Sequence, residues 1–193
     1  MKTYILSEKD ILECERYAHS MGEGLSDNTI YLNHLSGKLS EVATCMFLQE
    51  MRYDQVSGLD FKAYSKSQKE FLQRFGITFD VDLFYKEKFP IHCKTRWVDT
   101  LEDKLFSETV FHTIKKEDPI IARPSGIVIF STIERKTNKL GLTSSAKVKI
   151  TAGFPAHECK DIIAKDIGDA VQLHIEVGYF RLSALNTIKE LNL

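Results

Sequence analysis

The chain has 193 residues, 43% hydrophobic and 27% charged, with a formal net charge of -1. Those values describe a globular chain long enough to bury one substantial core, and they exclude a uniformly basic, histone-like nucleic-acid binder. A local basic groove stays open, because binding to phosphates depends on where lysines sit rather than on their sum.

No apolar run approaches the roughly 20 residues of a membrane helix, so no membrane partner is expected. Met1 to Leu6, followed at once by Ser7-Glu8-Lys9-Asp10, has no signal-peptide pattern. Cys14, Cys45, Cys93 and Cys159 lack CxxC spacing, which fits reduced thiols and a cytoplasmic location. A zinc site at His92-Cys93 or His157-Cys159 is disfavoured, and for the first pair the reason is that neighbours on a strand point to opposite faces.

In chain order, Ser7 reads as the cap of a helix over 7–21, with Glu8 and Asp10 in its first turn and an apolar stripe at Ile11, Cys14, Tyr17, Ala18 and Met21. Leu25 to Leu35 reads as a loop. A second helix is expected from Ser36-Gly37 to about Met51, apolar around most of its circumference. Glu41 is conspicuous there, because a carboxylate on such a helix needs a counter-charge, a metal, or water from a cleft. From Tyr53 to Arg74 basic and aromatic residues interleave, with a short helix at Gln68 to Phe75. That stretch suits either a wall of a nucleic-acid groove or a solvated surface.

Gly76 to Trp97 reads as a β-hairpin turning at Lys86-Glu87-Lys88, with Tyr85 facing Phe89 and Asp82 facing His92. Alternation then puts Phe79, Val81, Leu83, Tyr85, Phe89, Ile91 and Cys93 on an apolar face, and Asp80, Asp82, His92, Lys94 and Arg96 on the other. Acids, an imidazole and a lysine on one face suit metal-dependent chemistry, although the solvated side of a half-buried hairpin has the same pattern. Trp97 suits packing better than base stacking. Asp99 to Lys104 reads as a charged loop or short helix. Strands are expected at 107–114, 126–133 and 146–153, and then a helix opened by Pro155 at its first position. Strands at 171–176 and 178–182 and a closing helix at 183–191 complete the pattern of one α/β domain with a sizeable mixed sheet.

Glu41 after Ser36-Gly37-Lys38-Leu39-Ser40, Asp80 and Asp82 on one strand, and His92-Cys93-Lys94 on the next resemble, in that order, the PD-(D/E)xK nuclease superfamily. The motifs span Gly37 to Lys94, and the remainder is similar by pattern only, including a tail like that of phage and bacterial members. The resemblance implies a restriction-endonuclease-like mixed β-sheet flanked by helices, in a single domain over 1–193. Its core would be about 36–153, with the N-terminal helix at 7–21 and a C-terminal extension over 154–193. It also implies a divalent-metal-dependent DNA endonuclease using Mg²⁺ or Mn²⁺, with DNA as partner and a homodimer as a plausible form. Glu41, Asp80, His92 and Lys94 would be catalytic. Asp80, Asp82, Glu41 and the backbone carbonyl of Cys93 would hold the metal, with Asp80 preferred over Asp82 as main ligand, and Arg96 and Lys38 would contact DNA. One departure is evident: His92 stands where the family has Asp or Glu, and a neutral imidazole brings no negative charge. The alternative is therefore a catalytically inactive nuclease-fold protein that binds DNA or a protein partner.

Overall fold

The structure is a computed structural model that describes residues 2–22, 28–59, 81–87, 89–98, 109–139, 142–183 and 185. Its elements in order are β1 (Lys2–Ile5), α1 (Glu8–Gly22), α2 (Asn28–Glu50), β2 (Val56–Ser57), β3 (Leu83–Tyr85), β4 (Phe89–Val98) and β5 (Thr109–Lys115). They continue with α3 (Pro119–Ala122), β6 (Ile127–Thr137), β7 (Thr143–Pro155), a 3₁₀ helix (Ala156–Ile162), β8 (Ile163–Asp166) and β9 (Ala170–Glu176). The fold is mixed α/β, as the sequence pattern predicts. It has two sheets rather than one: a six-stranded sheet in the order β1-β7-β6-β4-β3-β2 and a three-stranded sheet in the order β5-β9-β8.

Strand β4 is the hinge of the larger sheet. It pairs antiparallel with β3 in the expected register, Tyr85 against Phe89 and Leu83 against Ile91. On its other side it runs parallel to β6, Ile91 against Ile127 through Val98 against Glu134. Parallel neighbours need a crossover, and β5 and α3 supply it. Strands β6 and β7 form a long antiparallel pair, and β1 closes the far edge against β7.

Both faces of this sheet are covered. On one, Ile91, Cys93, Ile129, Ile133, Val148 and Ile150 pack with Leu35, Leu39, Ala43 and Phe47 of α2 and with Ile11, Cys14 and Ala18 of α1. On the other, Val128, Phe130, Ala152 and Phe154 meet Ile120 of α3, Cys159 of the 3₁₀ helix, and Val171, Leu173 and Ile175 of β9. A strand buried on both faces cannot alternate polar and apolar residues, and Ile127 to Glu134 are buried without interruption.

Several elements differ from the expected ones. Helix α2 begins at Asn28, so the expected loop at Leu25 to Leu35 is helical over its described part. Leu35 is fully buried, the Ser36 hydroxyl donates back to the Leu32 carbonyl at 2.8 Å, and a Cβ at Gly37 would meet only open space. Packing thus overrides the breaker signals of Asn33, Ser36 and Gly37. Pro119 opens a short helix between β5 and β6, with the Asp118 carboxylate accepting from the Ile120 N–H. Pro155 is a cap residue and not the first helical one, and the helix it precedes is 3₁₀ and gives way to β8 at Ile163. The expected strand at 178–182 is a single bridge between Gly153 and Phe180. The expected helix at 68–75, the segment at 99–104, and all of the closing helix but residues 183 and 185 lie outside the described residues, as does most of the 53–74 stretch. Among the described residues no helix is long and apolar enough to cross a membrane.

Candidate active site

The hairpin's apolar face falls where alternation puts it: Leu83, Tyr85, Ile91 and Cys93 join the core beneath the helices. His92, Lys94 and Arg96 therefore project from the opposite face. Asp82 is fixed to β4 at two points. Its N–H donates to the Ile91 carbonyl at 3.2 Å, and its Oδ2 accepts from the Cys93 N–H at 2.6 Å. These contacts bracket His92, so the Asp82 carboxylate lies where the hairpin register sets it, alongside the His92-Cys93-Lys94 triplet.

Burial pushes the Asp82 carboxyl above its usual range. The hydrogen bond from the Cys93 N–H and then electrostatic interaction with Lys94, His92 and Lys38 oppose that rise without cancelling it. The last of those charges comes from α2, where Lys38 and Glu41 are one turn apart. Lys38 Nζ lies 2.5 Å from Glu41 Oε2, and both residues are buried. Burial alone would lower the lysine, yet Glu41 leaves it raised. Lys38 Nζ also sits 4.4 Å from the centre of the Tyr17 ring. Ser40, between the pair, shares a 2.8 Å hydrogen bond with Ser131 of β6, which seats this turn of α2 on the sheet.

Burial drives the Cys93 thiol well up, and the charges of Asp82 and then Glu41 push it higher. The expected DNA contact at Lys38 is corrected by this geometry: the ammonium is interior, because a carboxylate buried on α2 needs a counter-charge and the preceding turn supplies it. Asp80, the metal ligand that the resemblance prefers, lies outside the described residues.

Two further residues belong to the site. Lys94 Nζ lies 2.7 Å from Asp118 Oδ2, with the two side chains 28% and 15% exposed. His112 of β5 packs edge-on against Phe130 at 4.8 Å and is 2% exposed. Burial first, and then the charges of Arg96 and Lys94, push its imidazole down to about 3, so it is neutral. Alternation of Val110, His112 and Ile114 could have marked the histidine as inward-facing, and Asp118 before Pro119 is a readable helix start. Neither signal says that the crossover folds back onto Lys94.

His92 is 2% exposed, and both of its ring nitrogens are buried without a hydrogen-bond partner among the described residues. An orphaned imidazole beside a carboxylate whose charge is disfavoured is a donor set that a divalent cation satisfies. Asp82, His92 and the Cys93 carbonyl are the groups here whose chemistry could hold such an ion. Glu41 contributes less, since Lys38 already offsets it. Among the described residues no three His, Cys, Asp or Glu side chains are grouped to hold a metal.

A cleft of about 1060 Å³ opens elsewhere, beside the 3₁₀ helix and β9, lined in part by Phe154, His157, Glu158, Tyr179 and Arg181. None of Glu41, Asp82, His92 or Lys94 lines it. Comparison with protein-family models, curated proteins and solved structures yields no match for this chain.

Proposed function

We propose that this protein is a divalent-metal-dependent DNA endonuclease that hydrolyses phosphodiester bonds. The observation that carries the reading is the Asp82 carboxylate tied at 2.6 Å to the Cys93 N–H, bracketing His92 and sharing its electrostatic surroundings with Lys94. Asp82, His92 and the Cys93 carbonyl would hold Mg²⁺ or Mn²⁺, with Glu41 behind them and Asp80 as a further candidate ligand. When bound there, the ion supplies positive charge for a phosphoryl oxygen and acidifies an attacking water.

Each side chain then has a distinct task. Lys94, fixed by Asp118, presents an ammonium at the edge of the site, where it orients water and meets charge that develops on the phosphate. Arg96, exposed two residues further along β4 and bonded through Nη1 to the Phe111 carbonyl at 2.7 Å, suits a phosphate contact outside the reacting centre. Cutting both strands of a duplex would take two copies of the site, which favours a homodimer on DNA. Lys94→Ala should abolish plasmid nicking in Mn²⁺ while circular dichroism and thermal unfolding stay close to wild type. Undiminished nicking by that variant would sink the assignment.

One observation favours the alternative, a chain that binds DNA or a protein partner without cutting. Lys38 already neutralises Glu41 from within, as an inert site would allow. A filter-binding signal on duplex DNA with no nicking in either metal would support that reading over the first.

A further inference from the structure

We propose that Asp118 is a positioning residue for Lys94, an inference that rests on the endonuclease reading above. A lysine reaches its target through four rotatable methylenes, and fixing it costs entropy unless something else already holds it. Asp118 is built to do so. Its Oδ2 takes the Lys94 ammonium at 2.7 Å while its Oδ1 accepts from the Ile120 N–H at 3.0 Å, so the carboxylate is held at both oxygens.

Its backbone is held as well. The Asp118 N–H donates to the Lys115 carbonyl at 2.9 Å, and the Asp118 carbonyl accepts from the N–H groups of Ile121 and Ala122. Pro119 fixes the next φ, and Ile120 is fully buried in the second core. The aspartate thus belongs to the frame and the lysine to the aspartate. Ile120 shares that core with Cys159, so the turn that carries Asp118 packs against the 3₁₀ helix. On β4 itself, the residue just before Lys94 donates its N–H to Asp82 Oδ2 at 2.6 Å. Lys94 is therefore held by an acid of the crossover and directly follows the residue whose N–H binds the hairpin's Asp82. We infer that the crossover between the two parallel strands serves the site as well as the sheet.

Asp118→Asn separates the two roles, because the amide oxygen still accepts from Ile120 while the charge opposite Lys94 is gone. On a labelled DNA duplex in Mn²⁺, this variant should lose about 10- to 100-fold in kcat with KM little changed. Asp118→Glu should recover part of the loss, and the Tm of Asp118→Asn should match wild type. Independently of activity, Lys94 in Asp118→Asn should react faster than in wild type with an amine-labelling reagent, read by mass spectrometry against the other lysines. Unchanged labelling of Lys94 overturns the pairing. Faster labelling with unchanged kcat overturns the positioning role and leaves Asp118 as a helix cap. A wild-type chain that does not nick DNA overturns the endonuclease reading and the catalytic part of this one, while the labelling result still decides whether Asp118 holds Lys94.

Discussion

Lys38 and Glu41 hold opposite charges one helical turn apart with almost no water to solvate either, so each is the condition for the other's burial. Removing one partner leaves an uncompensated interior charge, whereas replacing both with apolar groups of similar volume removes the problem. Lys38→Met should therefore destabilise the fold by about 3–5 kcal/mol in urea unfolding. Lys38→Met with Glu41→Leu should be closer to wild type than that single variant. If the two are equally unstable, the pair is not the reason for the loss. His112 makes a second prediction. Its folded value of about 3 lies below the ordinary 6.5, so below pH 6.5 the unfolded chain takes up a proton that the fold refuses. Its contribution is thus unchanged above pH 6.5, and stability falls as the pH drops from 6.5 toward about 3, by about 1.4 kcal/mol per pH unit. His112→Gln should flatten that limb of the stability curve. Parallel limbs for variant and wild type would show that His112 is not buried as a neutral ring.

At the scale of elements, the site depends on how β6 enters beside β4. Gly126 immediately precedes β6 with φ +71, and a Cβ there would be driven into the Pro90 carbonyl oxygen of β4. A left-handed backbone and a backbone obstacle act together, and neither is the mobile end of a side chain. Gly126→Ala should cost at least about 2 kcal/mol and widen the start of the β4–β6 pairing, seen as faster hydrogen exchange at residues 91–93 and 127–129. Unaltered exchange and stability would mean that the strands can separate there at no cost. The same junction explains why some elements are readable and others are not. The hairpin register is fixed by Tyr85 and Phe89 facing one core, a local pattern of period two, and α1 is marked by the Ser7 side chain capping the Asp10 N–H at 3.2 Å. Strand β1 has only four residues, and its partners, Lys147 to Ile150, lie far along the chain, so nothing local marks it.

For the whole molecule, the division into two sheets was illegible for a related reason. Nothing local in β5, β8 and β9 assigns them to a sheet of their own, and only long-range pairing separates them. The candidate site divides the same way. Glu41, Asp82, His92 and Lys94 stand out because charge on an apolar helix or a patterned strand is locally odd, whereas Asp118 and His112 matter only once the crossover has folded back. The exposure of Lys38 depended on tertiary contacts that its spacing from Glu41 does not encode. What joins site to molecule is linkage: a cation that binds only the folded chain stabilises all of it, by about 2.7 kcal/mol at a hundredfold excess over its Kd. For a chain of this size that corresponds to a rise in Tm on the order of 5–10 °C. The direction of the Asp82 shift sets the pH dependence. A carboxyl raised by burial keeps its proton to higher pH than an ordinary one, and a cation must displace that proton. The rise in Tm with saturating Mn²⁺ should thus shrink as the pH falls from about 8 toward 5, vanish with chelator, and be lost in Asp82→Asn at every pH. A Tm that Mn²⁺ leaves unmoved in the wild type, or moves equally in Asp82→Asn, would remove the ion from this site and the hydrolytic reading with it.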